Sequence, residues 1–197
     1  MAGPAAPEQG AGEDVVSERS ERPAAHEYDP FYAGYIARVP EGDIVRILDR
    51  QLEETLRPLR GLDERGASFA YAAGKWTVRE VVGHLCDAER VFAYRALRIA
   101  RGDTIDLPGF DENAWAPAAG HDDRPLAERL DELAAVRRAT MLLLESLPDE
   151  AWRRVGSANG SPASVRAIAT VIAGHELHHR AVLAERYLAR LAAPRPG

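Results

Sequence analysis

Residues 161–191 read SPASVRAIATVIAGHELHHRAVLAERYLARL, one amphipathic run that opens at a serine cap, Ser161 or Ser164, and ends before Pro194. Val165, Ile168, Ile172, Val182 and Tyr187 recur at helical spacing and mark the face that turns inward. His175 stands seven residues from both Ile168 and Val182, and His179 stands seven from Ile172. Two histidines four residues apart therefore lie on the buried seam of one helix. His178, about 120° off that direction at 3.6 residues per turn, falls at the edge of the seam or outside it.

An imidazole on a buried seam carries a penalty of about 1–3 kcal/mol when it has no partner. A divalent metal satisfies two at once, and imidazole suits zinc, nickel, copper or iron. His84 is the other histidine on an apolar stripe, with Val81 and Ala88 at helical spacing around it, and it is the candidate third ligand. Three protein ligands leave a position for water or substrate, the arrangement of a reactive site rather than a closed structural one. His26, in the N-terminal stretch, and His121, beside Asp122 in a loop, read as bystanders.

Three further segments carry the same periodicity. The first spans about 41–60, with Pro40 in the N1 role, a stripe of Ile44, Leu48, Leu52, Leu56 and Leu59, and a stop or kink at Pro58. The second opens on Thr77 and Glu80, spaced as a capping box, and runs to about Arg101. The third follows Pro125 and runs to Leu147. Four such helices make an all-α four-helix bundle. The 102–124 connection is long enough, at about 3.3 Å per residue, to cross the bundle from end to end. Such a crossover makes the second and third helices parallel.

Composition agrees with this reading. Ala, Glu, Lys, Leu and Arg supply 97 of the 197 residues, a long-helix bias, while Val and Ile together supply 20, too few for a large buried sheet. The net charge is −6, which disfavours nucleic acid. Four of those charges fall in residues 1–27, a stretch without an aromatic ring that reads as a disordered acidic tail. The domain is expected over 28–192, with 193–197 as a short C-terminal tail. Tyr28, Phe31, Tyr32 and Tyr35 form an arm expected to pack across one end of it. One cysteine, no apolar leader and no 18-residue apolar run point to a soluble protein of the cytoplasm, with no membrane contact.

His175-Glu176-Leu177-His178-His179 also fits the H-E-x-x-H pattern of zinc proteases, where the glutamate is general base. Its place on the last helix of an all-helical chain argues against a protease. Glu176, next to a ligand, is still the candidate proton acceptor. Asp87, one turn from His84, is placed to hold a ligand's second ring nitrogen. Arg95, three turns on from His84, suits a substrate carboxylate. Asp111, Glu112, Asn113 and Trp115 are candidates to wall a pocket. Cys86 points about 200° away from His84 and is no candidate nucleophile.

The chain resembles the DinB/YfiT-like superfamily of four-helix-bundle metalloenzymes. The likeness is carried by Gly74-Lys75-Trp76-Thr77-Val78-Arg79-Glu80, by Gly83-His84-Leu85-Cys86-Asp87-Ala88-Glu89, and by Gly174-His175-Glu176-Leu177-His178-His179. The resemblance implies metal ligation by His84, His175 and His179, zinc or nickel as the metal, a crossover between the second and third helices, and a homodimer. It also implies a small-molecule reaction, either thiol-dependent transfer with a low-molecular-weight thiol as co-substrate, or hydrolysis. The rival expectation is a non-catalytic, metal-stabilised dimeric bundle in stress response.

Overall fold

The computed structural model describes residues 17–193. Four long helices form the bundle: α1 (Ile44–Leu56), α2 (Val78–Ala100), α3 (Leu126–Glu145) and α4 (Val165–Val182). Asp43, not Pro40, opens α1, because its side chain accepts from the amides of Val45 and Arg46. The helix stops at Leu56, two residues ahead of Pro58. Thr77 and Glu80 close a reciprocal capping box at the start of α2. Ser164 caps α4 by accepting from the Ala167 amide. Beyond Val182 the helix widens into a π-helical stretch, Leu183–Leu188, and ends with the turn Ala189–Ala192.

Side-chain contacts fix the helix directions. The Thr77 hydroxyl donates to Asp122 at 2.7 Å, Arg90 to Glu132 at 2.8 Å, and Arg137 to Glu89 at 2.9 and 2.8 Å, so positions on α2 and α3 rise together. The two helices are parallel, as the crossover requires. Gln51 pairs with Ala173 and Glu176, so α1 runs alongside α4. Tyr187 meets Trp76 ahead of α2 while His175 meets Phe92 further along it, so α4 runs against α2.

The crossover is built rather than loose. It holds the strand β1 (Asp106–Leu107), a short helix at Glu112–Ala118 and a 3-10 turn at His121–Asp123. β1 pairs in parallel with β2 (Val155–Ala158), which pairs antiparallel with β3 (Ser161–Ser164). The run at 161–163 expected as a possible helix start is thus strand. Strands this short show no alternation of apolar and polar residues. The Asn159-Gly160 turn, with both residues at positive φ, is the hairpin signal that marks them.

Residues 1–16 and 194–197, and the tail expectations that fall on them, lie outside the described residues. Residues 17–27 correct the expected boundary at Tyr28. Arg22 donates to the carbonyls of Ile36 and Val39, each at 2.8 Å, and Glu27 is buried against Ser164 and Arg166.

The apolar core falls into two parts. One gathers Leu48, Phe92, Ile99, Trp152 and Ile172, and the other gathers Leu56, Val81, Leu85, Leu133 and Tyr187. Between them every bundle helix turns polar at one level: Gln51 on α1, His84 and Glu89 on α2, Arg137 on α3, and His175 and Glu176 on α4.

Candidate metal centre

His84 comes from the N-terminal half of α2, and His175 and His179 from successive turns of α4. His175 Nε2 lies 3.0 Å from His84 Nε2 and 3.1 Å from His179 Nε2, and one ring nitrogen from each of the three fits within a 4.8 Å cluster. The seam spacing of residues 175 and 179 thus places both rings inward, and α2 brings His84 to the same level.

Burial disfavours the charged form of each ring. It pushes His84 down to about 4, helped by the charge of His121, and His179 down to about 3, helped by His84 and His178. His175 is driven well below 6.5 by burial first and its three histidine neighbours second. Near neutral pH all three are neutral imidazoles, the form that binds metal. A neutral ring nitrogen either donates one proton or accepts on one lone pair, so His175 Nε2 cannot satisfy both neighbours at once. A cation facing the three lone pairs satisfies them all. Tetrahedral zinc at ~2.0–2.1 Å from each nitrogen sets nitrogens about 3.3 Å apart, close to the 3.0 and 3.1 Å that separate His175 from His84 and His179. The donor set fits a divalent metal.

The cluster opens on a cavity of about 480 Å³. Aromatic rings wall it: Trp76 stands 4.8 Å from the His84 ring, Tyr35 lies 5.6 Å from His175 and 5.4 Å from His178, and Phe92 lies 5.9 Å from His175. Gly174 admits Tyr35, because a Cβ there would come within 2.2 Å of the Tyr35 carbonyl oxygen. The aromatic arm therefore lines the cavity instead of merely covering one end. A glycine inside a helix, directly before the first histidine, was the sequence signal for that close approach.

Arg95 reaches the cavity, as do Glu112 and His178. His178 sits at the seam edge as expected, and burial, then the charges of Arg38 and Arg186, lower its pKa. Other expected residues fall elsewhere. Glu176 is 1 % exposed and faces away from the cavity, with Oε2 accepting from Gln51 at 2.6 Å and Arg137 at 2.7 Å. One of its oxygens is held in the polar belt, the other is buried without a partner, and the residue does not line the cavity, so it is not placed as the proton acceptor of the cluster. Asp87 does not hold a ligand ring; its Oδ2 lies 3.3 Å from His121 Nε2. His121 is no bystander, since it is buried flat on Gly83, where a Cβ would lie 2.2 Å from its ring. Asp111 caps the Glu112–Ala118 helix, Asn113 is exposed on its first turn, and Trp115 stacks on Phe110 at 4.9 Å behind the cavity wall. Cys86 is buried away from the cavity, and burial, then the charge of Glu132, pushes its thiol up to about 12.

A family model described as the DinB superfamily matches residues 47–183. A protein of Geobacillus thermodenitrificans described as "Putative metal-dependent hydrolase" is 31% identical over 140 residues, covering 67% of this chain and 76% of its own. One from Geobacillus kaustophilus with the same description is 33% identical over 143 residues, covering 68% and 78%. Among solved structures, YfiT from Bacillus subtilis, described as "a probable metal-dependent hydrolase with an unusual four-helix bundle topology", aligns with a TM-score of 0.62 at 20% identity, over 87% of this chain and 93% of that one. The share of the chain matched, and the bundle common to it and YfiT, place this protein in the DinB superfamily.

Proposed function

We propose that the chain is a metal-dependent hydrolase acting on a small molecule, with His84, His175 and His179 holding a divalent metal, zinc or nickel. The observation that carries this reading is the convergence of three neutral imidazoles, two buried and one half-buried, on the floor of an open cavity. The relatives' descriptions as metal-dependent hydrolases support it. A divalent metal held there supplies Lewis acidity and lowers the pKa of a water or thiol in its open position.

The chain's own residues do the rest. Tyr35, Trp76 and Phe92 shield the cluster on the cavity side and exclude bulk water from around the reacting group. His178 and Glu112 line the same cavity and can take a proton there. A transfer reaction with a small thiol uses the same open position and the same walls. The deciding experiment is a panel of ester, amide and thiol-plus-electrophile substrates run with zinc-loaded and nickel-loaded protein. Turnover that disappears in His84→Ala while the fold is retained supports the enzyme; turnover that persists in that variant contradicts it.

A further inference from the structure

Four arginines are buried among the described residues: Arg79, Arg95, Arg129 and Arg137. Three have a carboxylate, with Arg79 on Glu64, Arg129 on Glu132, and Arg137 on Glu89 and Glu176. Arg95 has none within ion-pair distance among the described residues. It is 4 % exposed and lines the cavity. Its Nη2 donates to the Pro108 carbonyl at 2.6 Å, while its Nε is buried with no partner. Two of the nearby carboxylates, Asp106 and Asp29, are engaged elsewhere. Asp106, which feels the Arg95 charge, accepts from Ser157 Oγ and the Gly160 amide. Asp29 accepts from the Phe31 amide and Ser161, and Glu112 lines the same cavity without an ion pair to Arg95.

A guanidinium cannot shed its proton in a protein, and a buried charge without a counterion is costly. Its planar fork matches a carboxylate. The rings around it set what the anion is attached to. Arg95 Cζ lies 5.9 Å from the Phe92 ring and 6.0 Å from the Phe110 ring, and Phe92 lies 5.9 Å from His175, so one ring separates the guanidinium from the cluster. Phe31, 72 % exposed at the mouth, adds apolar surface.

We propose that the cavity selects a carboxylate-bearing substrate with a flat apolar body, its carboxylate paired with Arg95 and its body laid along Phe92 toward the three histidines. The assignment of the molecule as substrate rests on the metal-hydrolase reading; the pairing with Arg95 does not need the metal.

The test is calorimetric binding of phenylacetate and of its neutral analogue phenylacetamide near neutral pH, to zinc-loaded and to chelator-stripped full-length protein. One charge-assisted pair predicts a preference for the acid of about tenfold or more in both forms. Arg95→Met removes that preference and Arg95→Lys keeps part of it. Equal affinity of acid and amide, no binding of the acid, or a preference that survives in Arg95→Met overturns the proposal. A preference confined to the zinc-loaded form also overturns it, because the acid is then a metal ligand. If Arg95→Met fails to fold, the two forms of the unaltered chain decide alone. A chain that takes up no metal sinks the hydrolase reading and leaves the stripped comparison intact.

Discussion

Glu176 Oε2 accepts from Arg137 Nη2 at 2.7 Å, on the side of α4 away from the cavity that its chain neighbour His175 helps to floor. Arg137 also holds both oxygens of Glu89 and the Leu48 carbonyl, so one guanidinium ties α1, α2, α3 and α4 at the level where the core turns polar. The glutamate that the H-E-x-x-H pattern would make a base serves here as part of the frame behind the histidines.

That arrangement separates two variants. Arg137→Met leaves two buried carboxylates without a cation and is expected to cost about 3–5 kcal/mol in urea unfolding. Glu176→Gln keeps a hydrogen-bonding group beside Arg137 and Gln51, and is expected to lose less stability and to retain metal binding and any turnover. A Glu176→Gln protein that folds and binds metal but turns over nothing would restore the glutamate as base.

The histidine cluster predicts how stability of the metal-free chain depends on pH. Buried rings held at about 4 (His84) and about 3 (His179) bind fewer protons than the unfolded chain between those values and 6.5. The folded state is therefore most favoured above pH 6.5, and its stability falls as the pH drops from 6.5 toward 4. Thermal melts of stripped protein across that range should show it, and His84→Ala should flatten part of the slope.

Glu27 titrates in a different window. Burial raises its pKa, but hydrogen bonds from Arg166, Ser164 and the Ala24 amide outweigh that and hold it at about 2. Its contribution is present above about 4.5 and is lost as the pH falls toward 2. Glu27→Gln is expected to lower the melting temperature at neutral pH, with the gap to the unaltered chain closing as the pH falls below 4.5. A gap that stays constant on acidification contradicts the ion pair with Arg166.

Gly174→Ala sets helix propensity against packing. Alanine favours a helix by about 1 kcal/mol, yet the new Cβ would come within 2.2 Å of a backbone oxygen at Tyr35, which no side-chain rotation relieves. Net destabilisation of about 1–3 kcal/mol is expected. Tyr35 ring signals should move away from the shifts imposed by His175 and His178. A stabilised variant would show that the arm yields freely.

Helical periodicity carried most of the architecture, because α2, α3 and α4 each bury one stripe over several turns. The seam alignment of His175 and His179 survived folding for the same reason. What periodicity could not convey is which residues chain-distant segments bring to the cluster. Tyr35 arrives through a backbone contact at Gly174, and Phe110 through a crossover whose β1 is two residues long. Glu176 was misplaced because adjacency to a ligand says nothing of the opposite helix face, where Arg137 from α3 waits. Residues 17–27 looked unable to fold because they bury little apolar surface; ion pairs from Glu27 and backbone contacts from Arg22 order them instead.

The proposed function turns on His84, His175 and His179 binding one divalent metal. Elemental analysis of protein purified without a metal-affinity tag, then incubated with zinc or nickel and desalted, tests it most directly. About one ion per chain is expected in the unaltered protein and essentially none in a folded His175→Ala variant. Less than about 0.2 ion per chain in the unaltered protein, or equal loading of the two, would contradict it.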